Sequence, residues 1–406
     1  MKPKLIALSI FAVTAVTVTF FPTIQSALAY NPTSPVIIEP PTVTVPVVNV
    51  EHPKIEVVFV LDTTGSMSGL INSAKEKIWS IASTMASAQN SPDIKMGLVA
   101  YRDRGDEYIT QRVDLSSDLD SMYAQLMDFE ADGGGDSPES VNQALDDAVN
   151  KMTWSHDQQS YKVVFLVGDA PAHMDYQDDM KYPEIMSLAK QKGIIINTIQ
   201  AGLDSQTTRN WQHIARLGKG DYFQVEQTGN AIAISSPYDR EMAVLSERLD
   251  DTRLYYGDKK AKEKQQDKVA AARKLHKEAS DESRARRAEF NAAPSGKTNF
   301  LGEGELVEAI ASGSVALSSI QSEDLPESMQ AMAVEEQESV IRQKAKERDT
   351  LQAEMKVLAD KRNEYLKQEV SKAGGKKDSF DAKIFGSIRA QASEKGLEYD
   401  DDSARY

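Results

Sequence analysis

Between positions 54 and 225 the chain alternates short, nearly continuous apolar runs with longer stretches in which apolar residues recur every three or four positions. The run at 55–61 suits a strand buried on both faces, and 70–85 then has helical spacing. A second strand is expected at 94–101, with a neighbouring edge strand at 109–113. Helices follow at 118–129 and 140–152, with Pro138 placed for a helix start. A fully apolar strand is expected at 161–167, and a helix at 183–191 is ended by Gly193. The pattern closes with a strand at 194–200, a helix at 206–217 stopped by Gly218, and a strand at 222–225. Strands and helices alternating at this spacing predict an α/β fold: a doubly wound, mostly parallel, Rossmann-like sheet covered on both faces.

After about Ser236 glycine becomes scarce and Lys, Glu, Arg, Ala and Gln dominate. Residues 239–291 read as polar helix, 300–320 as a less charged patch, and 328–370 as one long helix ended by Gly374 and Gly375; 380–392 form a last short helix. Leu351, Met355, Leu358, Arg362 and Tyr365 follow one another at four, three, four and three residues. That seam predicts a coiled coil or helical hairpin, with self-association through these helices; Arg362 interrupts it, which equally suits a helix lying on the rest of the protein.

The first 29 residues have a basic start at Lys2 and Lys4, an apolar run from Leu5 to Phe21, and the small-residue ending Ala27-Leu28-Ala29. This is the layout of a secretory signal cleaved before Tyr30, so export to the periplasm or the cell exterior is expected. No later segment is apolar enough to span a bilayer, so no transmembrane anchor is expected in the mature chain. Pro32, Pro35, Pro40, Pro41, Pro46 and Pro53 mark the next stretch as an extended tether. The organisation is thus a leader at 1–29, a linker at 30–53, an α/β domain at 54–230 and a helical region at 239–406.

Composition narrows the chemistry. The 406 residues include no cysteine, which excludes disulfides, thiolate metal sites and a cysteine nucleophile. The formal charge of −15, made more acidic by loss of the leader's two lysines, argues against a nucleic-acid partner and is compatible with divalent cations.

The candidate chemistry lies where the first strand ends. Asp62, Thr64 and Ser66 place oxygen-bearing side chains two residues apart on a tight turn, so that one carboxylate and two hydroxyls can converge on a hard cation. The strand at 161–167 ends the same way, at Gly168-Asp169. With strand order 3-2-1-4-5-6 the first and fourth strands are neighbours, and the ligand crevice opens at their carboxyl ends. Asp62 and Asp169 then face one another, and a divalent ion between them removes their repulsion. A glycine-rich loop, 132–139, lies between them in sequence, and Asp136 or Ser137 offers a further oxygen.

Four stretches together resemble a von Willebrand factor A domain: Asp-x-Thr-Gly-Ser-Met at 62–67, Tyr101-Arg102-Asp103, Gly-Gly-Gly-Asp-x-Pro-Glu at 133–139 and Gly-Asp-Ala-Pro-Ala-His at 168–173. The resemblance covers residues 54–230 of what looks like a bacterial exported type. It implies a metal-ion-dependent adhesion site, with Asp62, Thr64 and Ser66 matching the Asp-x-Ser/Thr-x-Ser element and Asp169 the last aspartate. Many members carry a threonine in the middle loop; none occurs here between Thr110 and Thr153, so either Asp136 or Ser137 takes its place or the site has one ligand fewer. The resemblance further implies Mg²⁺, with Mn²⁺ or Ca²⁺ as alternatives, keeping one coordination position for the carboxylate of a protein partner.

Each signal has a plainer reading. Asp62 and Ser66 are common helix caps, Asp169 a common turn residue, and the glycine loop an ordinary tight connection. His173 and Asp175 read as incidental loop residues, and Asp103 as a partner of Arg102 or Arg104 supporting the crevice from behind. Residues 294–298 look like a phosphate loop, but Asn291 stands where the earlier glycine is required. No nucleophile is paired with a base, so the expectation is a metal-dependent protein-binding or adhesion module of the cell envelope and not an enzyme. A Mg²⁺-dependent hydrolase and a scaffold with a purely structural metal are the alternatives.

Overall fold

The computed structural model describes residues 53–69, 71–135, 137–225, 234–372 and 380–399. The leader, all of the linker but Pro53, Asp136, and Gly374 with Gly375 lie outside them. Six strands form one sheet in the order β3-β2-β1-β4-β5-β6, namely β1 (Lys54–Asp62), β2 (Asp93–Tyr101), β3 (Thr110–Ser116), β4 (Tyr161–Gly168), β5 (Ile194–Ala201) and β6 (Lys219–Val225). Five strands are parallel, and β3 pairs antiparallel with β2 at one edge.

Strand β1 is central because its sequence allows nothing else: every residue from Ile55 to Asp62 is buried. Its alternation divides the core. Ile55, Val57, Phe59 and Leu61 enter one apolar layer, while Val58 and Val60 enter the other. Helices α3 (Val141–Asp146), α4 (Tyr182–Lys192) and α5 (Ser205–Leu217) cover the second face, with Trp211 fully buried. The expected helix at 140–152 is α3 followed by a π turn over Asp147–Lys151. Asp204 caps α5 by accepting a bond from Thr207 N at 2.7 Å, and α4 stops at Gly193 in the left-handed region.

The first face is covered by α1 (Ile71–Ala86) and α2 (Leu119–Asp128), and then by helices from the chain's second half. There α6 (Asp239–Asp250), α7 (Lys259–Glu278) and α8 (Asp281–Ala292) are followed by the short α9 (Lys297–Leu301) and α10 (Leu306–Ala311). The 39-residue α11 (Val334–Lys372) and α12 (Phe380–Ser393) complete the chain. Helix α7 packs on α2, α8 on α1 and α6, and α12 on α1 and β6. Leu275, Phe290, Ile388 and Leu397 therefore share one core with Phe59 and Trp79.

Helix α11 lies on α6, α8 and α10. Leu351, Met355 and Leu358 bury their seam against Met242, Leu245 and Leu249 of α6, so the chain itself occupies that face. Arg362, which interrupts the apolar spacing, is fully buried with Nε 2.6 Å from Asp239 Oδ1. Among the described residues no helix is long and apolar enough to cross a membrane.

One buried ion pair joins the halves. Arg287 of α8 donates from Nε and Nη2 to the two oxygens of Asp120 on α2, each at 2.6 Å, and from Nη2 to Asp250 at 2.8 Å. Burial alone would raise the Asp120 carboxyl, but the Arg287 guanidinium, helped by Lys268, outweighs it and holds the group well below the usual carboxylate range. Asp120→Asn is expected to cost up to about 3–5 kcal/mol in urea unfolding at neutral pH, because it breaks the bidentate pair and leaves the buried Arg287 with Asp250 as its remaining partner charge. A depressed carboxylate stabilises the fold above its unfolded pKa of about 3.9 and stops doing so as the pH falls through the folded value. The stability gap between wild type and Asp120→Asn should therefore narrow below about pH 4, and a gap independent of pH would contradict the assignment.

Candidate metal centre

The site is built where β1 meets its turn. Thr63 continues the strand, its N and Oγ1 both donating to Tyr101 O at 2.9 Å. The chain then enters a 3-10 turn over Gly65–Gly69 that leads into α1. The glycine loop comes close enough for Gly65 N to donate to Gly133 O at 3.0 Å. Gly134 sits at φ 66°, and a Cβ there would fall 2.9 Å from Thr64 Cβ, so the loop tolerates no side chain at that point. Asp106 fastens the loop from outside, accepting from Gly134 N at 3.0 Å.

Four of the expected residues meet. Thr64 donates to Asp62 Oδ1 from N at 2.9 Å and from Oγ1 at 2.6 Å. Thr64 Oγ1 lies 3.0 Å from Ser66 Oγ, which donates to Asp169 Oδ1 at 3.0 Å. One carboxylate from β1, two hydroxyls from the turn and one carboxylate from the end of β4 thus form a continuous run of oxygens. Asp136 lies outside the described residues. Ser137 is exposed, and no hydrogen bond joins it to Asp62, Thr64, Ser66 or Asp169.

Two residues beyond Ser137 the same loop brings in Glu139, an unexpected member of the site because an acid directly after Pro138 has the pattern of a helix start. Glu139 is only 2 % exposed. Its backbone is fixed to the β4 loop, with N donating to Pro171 O at 2.9 Å and O accepting from His173 N at 3.1 Å. Its Oε1 faces the same point beside Gly134 as Thr64. Glu139 Oε2, Asp62 Oδ2 and Tyr101 Oη are all buried without a hydrogen-bond partner. A Cβ at Gly168 would collide with Tyr101 Oη and fall 2.9 Å from Asp62 Oδ2, so these polar atoms crowd the end of β4.

The electrostatics follow from that crowding. Burial first, and the negative charge of Asp169 second, push the Asp62 carboxyl up to about 7 against the bonds from Thr64. Burial, followed by Asp62, Asp103, Asp106 and Asp169, pushes Glu139 up to about 9. Burial and the charges of Asp62, Glu139 and Asp169 raise the Tyr101 phenol well above its usual value.

The surroundings differ from expectation in two places. Asp103 does not pair with Arg102 or Arg104: its oxygens accept from Ser140 Oγ at 2.7 Å and Tyr176 Oη at 2.9 Å. Arg102 instead binds the Thr63 and Glu130 carbonyls and stacks over Tyr108, while Arg104 reaches Asp178 and Asp179. His173 is not an incidental surface residue either. It is buried, stacks on Tyr176 at 3.9 Å, bonds Asp175 at 2.7 Å and lies 3.4 Å from Asp103. The two departures are linked: Tyr176 of the 169–181 loop bonds Asp103 and stacks on His173, so that loop is held against the loop after β2.

Among the described residues no group of three or more His, Cys, Asp or Glu side chains is placed to hold a metal ion. The run at the crest is half hydroxyl, and such a donor set leaves positions for water or for a partner's oxygen.

The sequence model of the von Willebrand factor A domain family matches residues 56–235. No curated relative matches the chain. Among solved structures, proximal thread matrix protein 1 from the mussel byssus, described with a zinc-occupied MIDAS motif, matches at 15% identity and a TM-score of 0.36, over 44% of this chain and 43% of that one. A von Willebrand factor type A protein from Catenulispora acidiphila matches at 15% identity and a TM-score of 0.35, over 44% and 40%. The SpRpn10 VWA domain matches at 13% identity and a TM-score of 0.35, over 46% and 96%. The match thus spans about two fifths of the mussel and Catenulispora chains.

The crowding makes a testable statement about Glu139. A carboxyl raised to about 9 in the fold costs stability progressively as the pH rises from its unfolded pKa of about 4.3 towards that value. In chelator, Glu139→Gln should therefore melt higher than wild type, by a margin that grows between about pH 5 and pH 9. A margin that stays constant across that range would contradict the placement of Glu139 among carboxylates.

Proposed function

We propose that residues 54–230 form a metal-ion-dependent protein-binding module of the bacterial cell envelope, holding Mg²⁺ at the crest of the sheet and capturing an acidic side chain of a partner. The observation that carries this reading is Asp62: a fully buried carboxylate whose Oδ2 has no hydrogen-bond partner, beside two hydroxyls and opposite a second carboxylate. A buried carboxylate left in that state is costly, and a hard dication is the group that the all-oxygen donor set fits. Asp62, Thr64, Ser66 and Asp169 would hold it, and Glu139 adds a further carboxyl from the glycine loop, one that ionises only when a cation offsets its burial. When bound, the ion supplies positive charge and a strict octahedral preference at the protein surface.

The protein's own residues do the rest. Thr64 and Ser66 orient their hydroxyls between the two carboxylates, and Gly134 keeps the approach free of side chains. Arg102 and Asp103 hold the adjacent loops through the bonds described above. The role is capture: the oxygens that meet at the crevice suit a cation, and His173 of the adjoining loop bonds Asp175 through Nδ1 and stacks on Tyr176. The envelope location rests on the signal-like pattern of residues 1–29.

Calorimetric titration with Mg²⁺ tests the reading. Wild type should bind and, at a concentration 100 times its Kd, gain about 2.7 kcal/mol of stability. Asp62→Ala should keep its circular dichroism spectrum, be no less stable than wild type in chelator, and gain nothing from Mg²⁺. Equal Mg²⁺ stabilisation of both proteins would overturn the proposal.

A further inference from the structure

The exposed large apolar residues described in the α/β domain lie at one end of it. Among the described residues, four of the seven exposed large hydrophobic side chains belong to this domain: Ile109 at 38%, Met174 at 45%, Met180 at 40% and Leu203 at 78%. All four lie on loops at the carboxyl ends of the parallel strands. Leu203 follows β5 and precedes Asp204, and the first turn of α5 is tied to the crevice by Thr207 Oγ1 donating to Asp169 O at 3.1 Å. Met174 and Met180 belong to the loop that begins with Asp169. Arg104 holds that loop to the loop after β2 through Asp178 and Asp179. Ile109 closes the loop after β2, its carbonyl accepting from Arg102 N at 3.0 Å.

Acids outnumber bases on the remaining loop surface at this end, with Asp106, Glu107, Asp132, Asp175 and Asp178 against Arg104 and Lys181. Alone it would repel an anionic partner, so apolar contact and a central cation are the attractive features left there. Two of the four apolar side chains are methionines, unbranched and polarizable, which adapt to more than one apolar shape.

We infer that Met174, Met180, Leu203 and Ile109 form an apolar rim around the Asp62–Asp169 crevice that selects a protein segment carrying an acidic side chain next to a large apolar one. The inference rests on the metal-binding reading of the crevice and adds the chemistry that distinguishes one acidic partner from another. The carboxylate enters the crevice, and its apolar neighbour covers Leu203 or the two methionines.

The test uses the full chain, immobilised in Mg²⁺, to select from a library of random peptides displayed on phage. Enriched peptides should pair Asp or Glu with a large aliphatic or aromatic residue within two positions. Leu203→Ser and Met174→Ser should each weaken a selected peptide about tenfold, the scale of one lost apolar contact. Val244→Ser and Val357→Ser, which alter equally exposed residues of α6 and α11, should bind it as wild type does. Acidic peptides without an apolar preference, bound equally by Leu203→Ser and Met174→Ser, would overturn the rim and leave the metal reading standing. Enrichment that persists unchanged in chelator, or with no acidic residue in the selected peptides, would overturn both. Sedimentation of the chain in Mg²⁺ covers the remaining occupant: a dimer dissolved by Leu203→Ser would assign the face to a second copy and overturn the partner proposed here.

Discussion

Asp62 ends the most deeply buried strand of the protein with a carboxylate group, and the crest is arranged around the consequences. Removing an ionised carboxylate from water costs several kcal/mol unless hydrogen bonds or an opposite charge replace the water. Thr64 satisfies one oxygen twice. The other oxygen faces the Tyr101 hydroxyl and the end of β4 without a hydrogen-bond partner, and the Asp169 backbone N–H offsets only part of the cost of burying the carboxylate. Asp169 adds negative charge to the same space, and Glu139, kept protonated there up to about pH 9, adds a carboxyl that ionises readily only when a cation offsets its burial. A sheet that needed only stability would place an apolar residue at this position, as it does at the five positions before it.

The rest of the fold keeps that arrangement rigid. The turn after β1 cannot move away from the glycine loop without losing the Gly65–Gly133 bond, and the glycine loop is fastened to Asp106. Helix α1, which starts beside the turn, is braced along its length by α8, with Trp79 packed on both Tyr123 and Phe290. The helices of the second half therefore share the core beneath the crevice. Their coupling to α2 through Arg287 and Asp120 makes loss of the helical region a loss of support for α1 and α2.

Much of this was legible in the sequence. The apolar runs that form β1 and β4 admit only strands buried on both faces, and the strand order that brings Asp62 to Asp169 follows from the alternation of elements. The run of oxygens through Thr64 and Ser66 follows from the two-residue spacing. Glu139 was not legible in the same way, because an acid directly after Pro138 resembles an ordinary first-turn helix residue until the β4 loop closes over it. The partners of Asp103, namely Ser140, Tyr176 and His173, come from loops over thirty residues away in sequence, which local spacing does not encode. Neither was the docking of α12 visible. It depends on Gln391 meeting Asn197 and Tyr161 inside the sheet face, a buried amide network made of residue types that usually mark a surface. The seam on α11 was read correctly as apolar, while its partner, α6, lay hidden in a stretch dominated by charge.

The central claim is that the crest oxygens surround a divalent ion. Crystals soaked in Mn²⁺, measured at a wavelength where manganese scatters anomalously, test it directly. The account predicts one strong anomalous peak within coordination distance of Asp62 and Ser66 on one side and Asp169 on the other. A saturating soak that leaves this crevice without a peak, or places manganese only on surface carboxylates elsewhere, would contradict it.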